Sequence, residues 1–413
     1  MADTPEEEIR ILDPQSVAQE LRRHGPPRQI TMHGTTAWLV SRYEEVRDCL
    51  GHPGMSPAAA YAASQGQINP VSGLFEDTVA GTNPPQHTRL RRLLAKAFTA
   101  RRVESLRPRV QEITDTLLDR IAVDGRADLV SALAIPLPMQ VICELLGVPI
   151  ADRTEFHQWA DLMLTPPLDP DTAARSQDAS AKLWTYMEDL AEARRKAPED
   201  DLISDLMSAH EDDRLSHREV VATARMMLIA GYELTGSFIS NAVFSLLSQP
   251  DQMELLRKDP ELAGRGLEEL LRHAGPGILI VRFANEDVEI GSVSIRAGDQ
   301  VLLDMDAAHS DPAHFTDGER LDLTRDSAVH LQFGHGIHYC IGAPLARVEG
   351  QIALESRGAA VPRASAERCR RRDQPQQEPV HPLADRAVRR VRGSAARSGV
   401  ITGRLTTGDR PDR

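Results

Sequence analysis

Aromatic residues are scarce in this chain: Phe, Trp and Tyr together make up 4% of 413 residues. An interior pocket is therefore expected to be roomy and aliphatic. Cysteine is scarce as well. Cys49, Cys143, Cys340 and Cys369 lie far apart with no CxxC spacing, which argues against a disulfide framework and a structural zinc site and leaves at most one with special chemistry. No apolar run approaches the roughly 18 residues that cross a bilayer, and the opening MADTPEEEIR lacks the basic and apolar stretches of a secretion signal, so a cytoplasmic protein without membrane association is expected. Positive charge is not in excess. The formal net charge of −13 disfavours nucleic acid as a main partner. No GxGxxG strand-turn-helix unit is present for a nicotinamide or flavin of its own, so any reducing equivalents must arrive from elsewhere.

What is abundant is helical periodicity. Apolar residues recur at three and four in RRVESLRPRVQEITDTLLDRI, in IPLPMQVICELLGV, in SHREVVATARMMLIAGYELTGSFISNAVFSLL and in AGRGLEELLRHA. The third segment lies between Ser216, a candidate N-cap, and the Gln249-Pro250 pair, which marks a long central helix. Strand alternation concentrates between Ile278 and Leu303, so the expected fold class is mainly α with a smaller, late β region. Gly51–Thr82 and the TPPLDPD stretch at 165–171 read as long loops of the kind that form lids.

The most specific ten residues are FGHGIHYCIG, Phe333 to Gly342. A thiolate that binds iron must be held away from the backbone, shielded from bulk water and steadied by hydrogen bonds. Glycines at 334, 336 and 342 permit tight turns and close approach of a flat macrocycle. A helix starting just after Cys340 would favour the thiolate through its dipole. An inert buried cysteine in a glycine-rich loop is the plain alternative for such a residue taken alone.

These ten residues resemble the haem-binding loop of the cytochromes P450, the haem-thiolate monooxygenases, at every defined position of Phe-Gly-x-Gly-x-His/Arg-x-Cys-x-Gly. Three more stretches agree in type and order. Glu269-Leu-Leu-Arg272 resembles the Glu-x-x-Arg pair, with Arg320 of DGERLDLTR as the expected third member. Asn83-Pro-Pro-Gln-His87-Thr-Arg-Leu-Arg91 resembles a segment whose His and Arg contact a haem propionate, with Asn83 in place of the usual acid. The i, i+4 spacing independently aligns His87 and Arg91 for one anion. Arg282 of VRFANEDVEIG matches a strand arginine that reaches a propionate, and His338 matches the cationic position two before the cysteine. The resemblance covers roughly residues 10 to 355 and is closest to soluble bacterial members that tailor secondary metabolites. It implies the triangular cytochrome P450 fold, with haem b between the central helix and the helix after Cys340. Cys340 is then the metal ligand, and His87, Arg91, Ala230, Gly231, Arg282, Phe333, Gly334, His338 and Gly342 are the remaining cofactor-binding residues.

In MMLIAGYELTGSF the family usually follows Ala-Gly-x with an acid and an alcohol that pass protons to iron-bound oxygen. Glu233 fits the acid, but Leu234 occupies the alcohol position. Thr235 is the nearest hydroxyl and completes the candidate catalytic pair, yet one helical step turns it by roughly 100°. A hydroxyl bonded to its own backbone is the alternative reading of Thr235. Arg89, Arg91, Arg92, Lys96, Arg101 and Arg102 predict a positive face that an acidic electron carrier would dock on. The resemblance implies a ferredoxin near Arg89, Arg92 and Lys96, supplied by NAD(P)H through a ferredoxin reductase. The expected function is insertion of one oxygen atom into a lipophilic metabolite, such as a polyketide or macrolide, by a monomer. The alternative is a haem-binding relative impaired in turnover that serves as a binding or carrier-interaction protein, a reading favoured by Leu234 and by the unusual end of the chain.

Residues 356–413 differ from everything before them. Fourteen arginines and six acids give a surplus of eight positive charges, with no Lys, Phe, Trp or Tyr, so residues 1–355 carry −21. A composition so poor in large apolar residues cannot bury enough surface to offset the entropy of ordering it. The expected organisation is a haem domain over 1–355 and an atypical arginine-rich segment over 356–413, disordered or the product of a reading-frame shift near Glu355.

Overall fold

Ile30, Ala37 and Leu39 are buried together with Leu302, which draws the first described strands onto a strand from far later in the sequence. The computed structural model describes residues 25–32, 35–64, 74–124, 127–164, 169–208, 215–325 and 329–360. Its larger sheet contains β1 (Arg28–Met32), β2 (Thr35–Val40), β3 (Met55–Pro57), β4 (Leu279–Ala284) and β7 (Gln300–Asp304) in the order β1-β2-β7-β4-β3. β5 (Val288–Ile290) and β6 (Val293–Ile295) form a separate hairpin. The β region is therefore not confined to Ile278–Leu303. β1, β2 and β3 come from the first sixty residues, and β2 pairs in parallel with β7. Register matters at one point especially: Pro57 of β3 lies opposite Arg282 of β4.

The central helix runs His217–Ser248, as its pattern predicts. Ser216 Oγ accepts from Glu219 N at 3.2 Å while Glu219 Oε2 accepts from Ser216 N at 2.8 Å, a reciprocal cap. Gln249 ends it and Pro250 opens the next helix, Pro250–Lys258. Nearly every residue from Glu219 to Ile229 is buried, so this helix is core on all sides. The segment over 101–121 forms two helices rather than one, Ala100–Ser105 and Arg107–Asp124. Pro108 explains the division, because it is tolerated in a first turn and not in a helix interior. The IPLPMQVICELLGV pattern forms Pro136–Leu145, and AGRGLEELLRHA forms Leu262–Arg265 and Leu267–His273.

The last described helix, Ala343–Ala360, crosses the central helix closely, since a Cβ at Gly350 would stand 2.7 Å from Phe238. Helical backbone thus continues past the boundary expected at residue 355, and the remainder of the 356–413 segment lies outside the described residues. The two predicted loops are partly structured. Gly51–Thr82 contains β3 and the helix Ala58–Ser64, with 65–73 outside the described residues. In the second loop 165–168 lie outside them, and Asp169 caps the helix Pro170–Lys196 by accepting from Thr172 N at 2.8 Å.

Candidate active site

The cysteine loop is folded by its own backbone. Gly334 N donates to Leu331 O at 2.7 Å, Tyr339 N to Gly336 O at 3.2 Å and Cys340 N to Phe333 O at 2.8 Å, so the loop closes on itself directly at the cysteine. Gly336 is required there: its φ is +72° and a Cβ would meet Gly51 Cα at 3.0 Å. The helix that begins at Ala343 follows immediately. Cys340 is accessible, yet it is so surrounded by protein that desolvation dominates and pushes its thiol above the ordinary value, while the backbone of Gly342 and Ala343 and the charges of Arg91 and Arg347 pull it down. The backbone at the helix start therefore acts in the direction expected of it, favouring the thiolate against the opposing effect of desolvation. The other described cysteines, Cys49 and Cys143, are buried and pushed to about 12 by burial, which leaves them inert.

Around this loop gather four cationic or donor side chains with no carboxylate among them. His87 and His338 lie with ring centroids 4.4 Å apart. His87 Nε2 and His338 Nδ1 are buried without a hydrogen-bond partner. Desolvation, followed by the charges of Arg282 and His87, pushes His338 down to about 3. Burial likewise lowers His87, with Arg91 adding to the effect. Arg282, on β4, is held down at about 10 by desolvation, and its Nη1 donates to the carbonyl of Val281 at 3.2 Å. Arg91 Nη1 donates to the Tyr339 carbonyl at 2.6 Å. Donors that repel one another, with a buried nitrogen of His87 and one of His338 left without a partner, define a site shaped for an anionic group. A haem fits this set: its propionates would satisfy the orphaned nitrogens, and its iron would take the proton's place on Cys340.

Asn83 departs from the usual acid and does something specific. Its Nδ2 donates to Ser56 Oγ at 2.6 Å, and Asn285 Nδ2 donates to the same oxygen at 2.6 Å. One hydroxyl of β3 therefore ties the helix Gln86–Ala97, which carries His87 and Arg91, to the end of the strand that carries Arg282.

On the central helix, Ala230 is exposed within an otherwise buried run, which marks a face bordering an internal cleft. Leu234, one turn on, shares that face and is half-buried. Gly231 faces elsewhere, since a Cβ there would meet Ile142 at 3.1 Å. It therefore makes room for the helix Pro136–Leu145, not for a ring over the cleft as expected. Thr235 is buried and follows Gly231 by one turn, so it lies roughly 100° from the Leu234 direction. Glu233 is half-buried.

Behind the site, Arg272 grips Glu269 through Nε at 2.7 Å and Nη2 at 2.8 Å, both side chains being almost fully buried. The third member is Arg325, not Arg320. Arg325 Nε stands 3.1 Å from Glu269 Oε2, whereas the Arg320 side chain is out on the surface near Asp251 and offers only its carbonyl to Arg272. Sequence reading also missed Glu268, whose carboxylate receives Arg347 and His330. Two adjacent glutamates on a helix too short to bury both on one face were the available signal.

The predicted basic face is partly neutralised. Arg89 pairs with Glu219 at the start of the central helix and Arg102 pairs with Asp205, because acids of two neighbouring helices reach across. Arg92 and Arg101 are exposed, and the Lys96 side chain lies outside the described residues.

The mainly helical fold, the cysteine loop at a helix start and the cationic nest together define a haem-thiolate monooxygenase. Residues 261–356 match the Cytochrome P450 family model. The chain is 42% identical over 363 residues to the Cytochrome P450 monooxygenase PikC of Streptomyces venezuelae, covering 86% of this chain and 84% of that one. It is 41% identical over 350 residues to the 6-deoxyerythronolide B hydroxylase of Saccharopolyspora erythraea, covering 82% and 86%. The solved structure of the mixed-function P450 MycG superposes with a TM-score of 0.75 at 40% identity, covering 87% of this chain and 93% of that one. The chain belongs to the cytochrome P450 family and is a monooxygenase of the kind found in bacterial secondary metabolism. Among the described residues no helix is long and apolar enough to cross a membrane.

Proposed function

We propose that this chain, a monomeric cytoplasmic enzyme, hydroxylates or epoxidises a lipophilic macrolide or polyketide, using haem b bound through Cys340. The observation that carries the cofactor assignment is the set of buried, unpartnered nitrogens on His87 and His338 beside Arg282 and Arg91, all adjoining the cysteine loop. His87, Arg91, Arg282 and His338 would hold the two propionates, Phe333, Gly334 and Gly342 would shape the loop for the ring, and the small side chain of Ala230 would leave room for it on the central-helix side. The haem supplies activation of dioxygen once electrons arrive. Relatives whose names specify macrolide-type substrates, and the chain's poverty in aromatics, support a roomy aliphatic pocket for a molecule of that class.

Glu233 holds and delivers the proton at its carboxylate, while Leu234 closes the cleft where an alcohol would otherwise stand. Without that alcohol, a water or a hydroxyl of the substrate bridges from Glu233. Electrons come from NAD(P)H through a ferredoxin reductase and a ferredoxin that docks near the exposed Arg92, with Arg89 and Lys96 flanking it. The arginine-rich segment over 356–413 is read as the product of a frame shift near Glu355, which resequencing around codon 355 tests.

The decisive experiment is a carbon monoxide difference spectrum of the reduced protein. Wild type is expected to give the thiolate-type band and Cys340→Ala to lose it, with Cys49→Ala, Cys143→Ala and Cys369→Ala unchanged. An intact band in Cys340→Ala overturns the ligand assignment.

A further inference from the structure

Glu268 stands one residue before the buried Glu269, but its carboxylate turns toward the cysteine loop. Arg347, on the helix after Cys340, donates to it through Nε at 2.7 Å and Nη2 at 2.9 Å, a two-pronged pairing. The same guanidinium lies over the Phe333 ring, 4.5 Å from its centroid, and reaches the Tyr339 hydroxyl at 3.4 Å. His330 approaches Glu268 from the other side, with Nε2 at 2.9 Å. Gln332 N donates to His330 Nδ1 at 3.1 Å, so Nδ1 is the accepting nitrogen and Nε2 carries the proton given to Glu268. One carboxylate thus holds the loop twice: through His330 to the backbone just before Phe333, and through Arg347 to the ring itself. Phe333 in turn accepts the Cys340 amide at 2.8 Å.

We propose that Glu268 and Arg347 are positioning residues for the cysteine loop, an opposed charge pair that fixes the Phe333 ring and sets the electron affinity of the thiolate-bound iron. The proposal rests on the haem-thiolate reading above. A cation beside the proximal ligand favours the more negative, reduced state, and an anion opposes it. The two side chains therefore push the reduction equilibrium in opposite directions, and the native pair holds them in balance. A scaffold role alone has no such sign.

The test is the reduction potential of the haem-loaded protein with its carbon monoxide spectrum. Arg347→Met should shift the equilibrium toward the oxidised form by threefold to tenfold, tenfold being about 59 mV for a one-electron couple. Glu268→Gln, which keeps the shape and an acceptor for Arg347, should shift it toward the reduced form. The double variant should fall between them, and Arg347→Lys should retain most of the charge effect. Shifts of the same sign in Arg347→Met and Glu268→Gln, or none in either, overturn the proposal. If Arg347→Met fails to take up haem, the isosteric Glu268→Gln decides alone: a potential unchanged or lowered overturns it. A wild-type protein with no thiolate-type spectrum would remove the haem reading itself, and this proposal with it.

Discussion

Arg325 places its Nε 3.1 Å from Glu269 Oε2 while 17% of its side chain remains exposed, against 64% for Arg320. Its other nitrogens donate to the carbonyls of Thr316, Asp317 and Arg320. Arg325 therefore ties the meander to the Glu269-Arg272 pair, and Arg320 does not. Removing one partner of a buried pair costs about 3 to 5 kcal/mol, so Arg272→Ala should fail to fold stably. Arg325→Ala should cost about 1 to 3 kcal/mol and Arg320→Ala no more than about 0.5 kcal/mol in denaturant unfolding. Equal losses at 320 and 325 would show that Arg325 does not hold the meander to the pair.

Acid titration of stability isolates Glu268. Burial would raise its carboxyl, but the hydrogen bonds from Arg347 and His330 outweigh burial and hold it down to about 2, below the ordinary 4.5. A carboxylate depressed in the folded state binds fewer protons there than in the unfolded chain. Its contribution is thus complete above about pH 4.5 and is lost as pH falls toward 2. Glu268→Gln should flatten that limb of the stability profile, measured by unfolding at stepped pH, and leave the neutral limb level.

Proton delivery separates three neighbours on the central helix. Glu233→Gln is expected to slow product formation by about a hundredfold or more, with electrons diverted to peroxide. Thr235→Val should change turnover little, because Thr235 lies off the cleft face. Leu234→Thr should reduce peroxide release with poorly fitting substrates. Oxygen consumption, peroxide and product measured together distinguish the three outcomes.

Ferredoxin docking is expected to be read most strongly at Arg92. Each exposed ion contact contributes about 0.2 to 1 kcal/mol, so Arg92→Gln should weaken ferredoxin binding by up to about fivefold, an effect that fades with added salt. Arg89 is already paired with Glu219, and Arg89→Gln should instead lower stability with a smaller effect on docking.

The parts of the molecule that sequence made legible were those with local causes. The central helix carries its own cap at Ser216 and its own stop before Pro250, and the FGHGIHYCIG loop is closed by hydrogen bonds within ten residues. β1 to β3 escaped notice because they are short and β2 finds its partner β7 across more than half the chain. Arg325 was missed for a related reason, since an irregular meander has no period from which to infer direction. The pairing of Arg89 and Arg102 with acids from other helices was equally invisible, because charge counted along a sequence does not record what faces it in space.

Ser56 has one further implication. Its oxygen accepts from both Asn83 and Asn285, so its own proton must point away from them. An aspartate at 83 could only accept, so the serine proton would turn toward it while the Ser56 oxygen still accepts from the Asn285 amide. The three positions form a single hydrogen-bonded unit. Loss of the hydroxyl in Ser56→Ala should be felt at both asparagines at once, whereas a graft of the His87 helix that brings an aspartate to 83 should succeed with Ser56 and Asn285 unchanged.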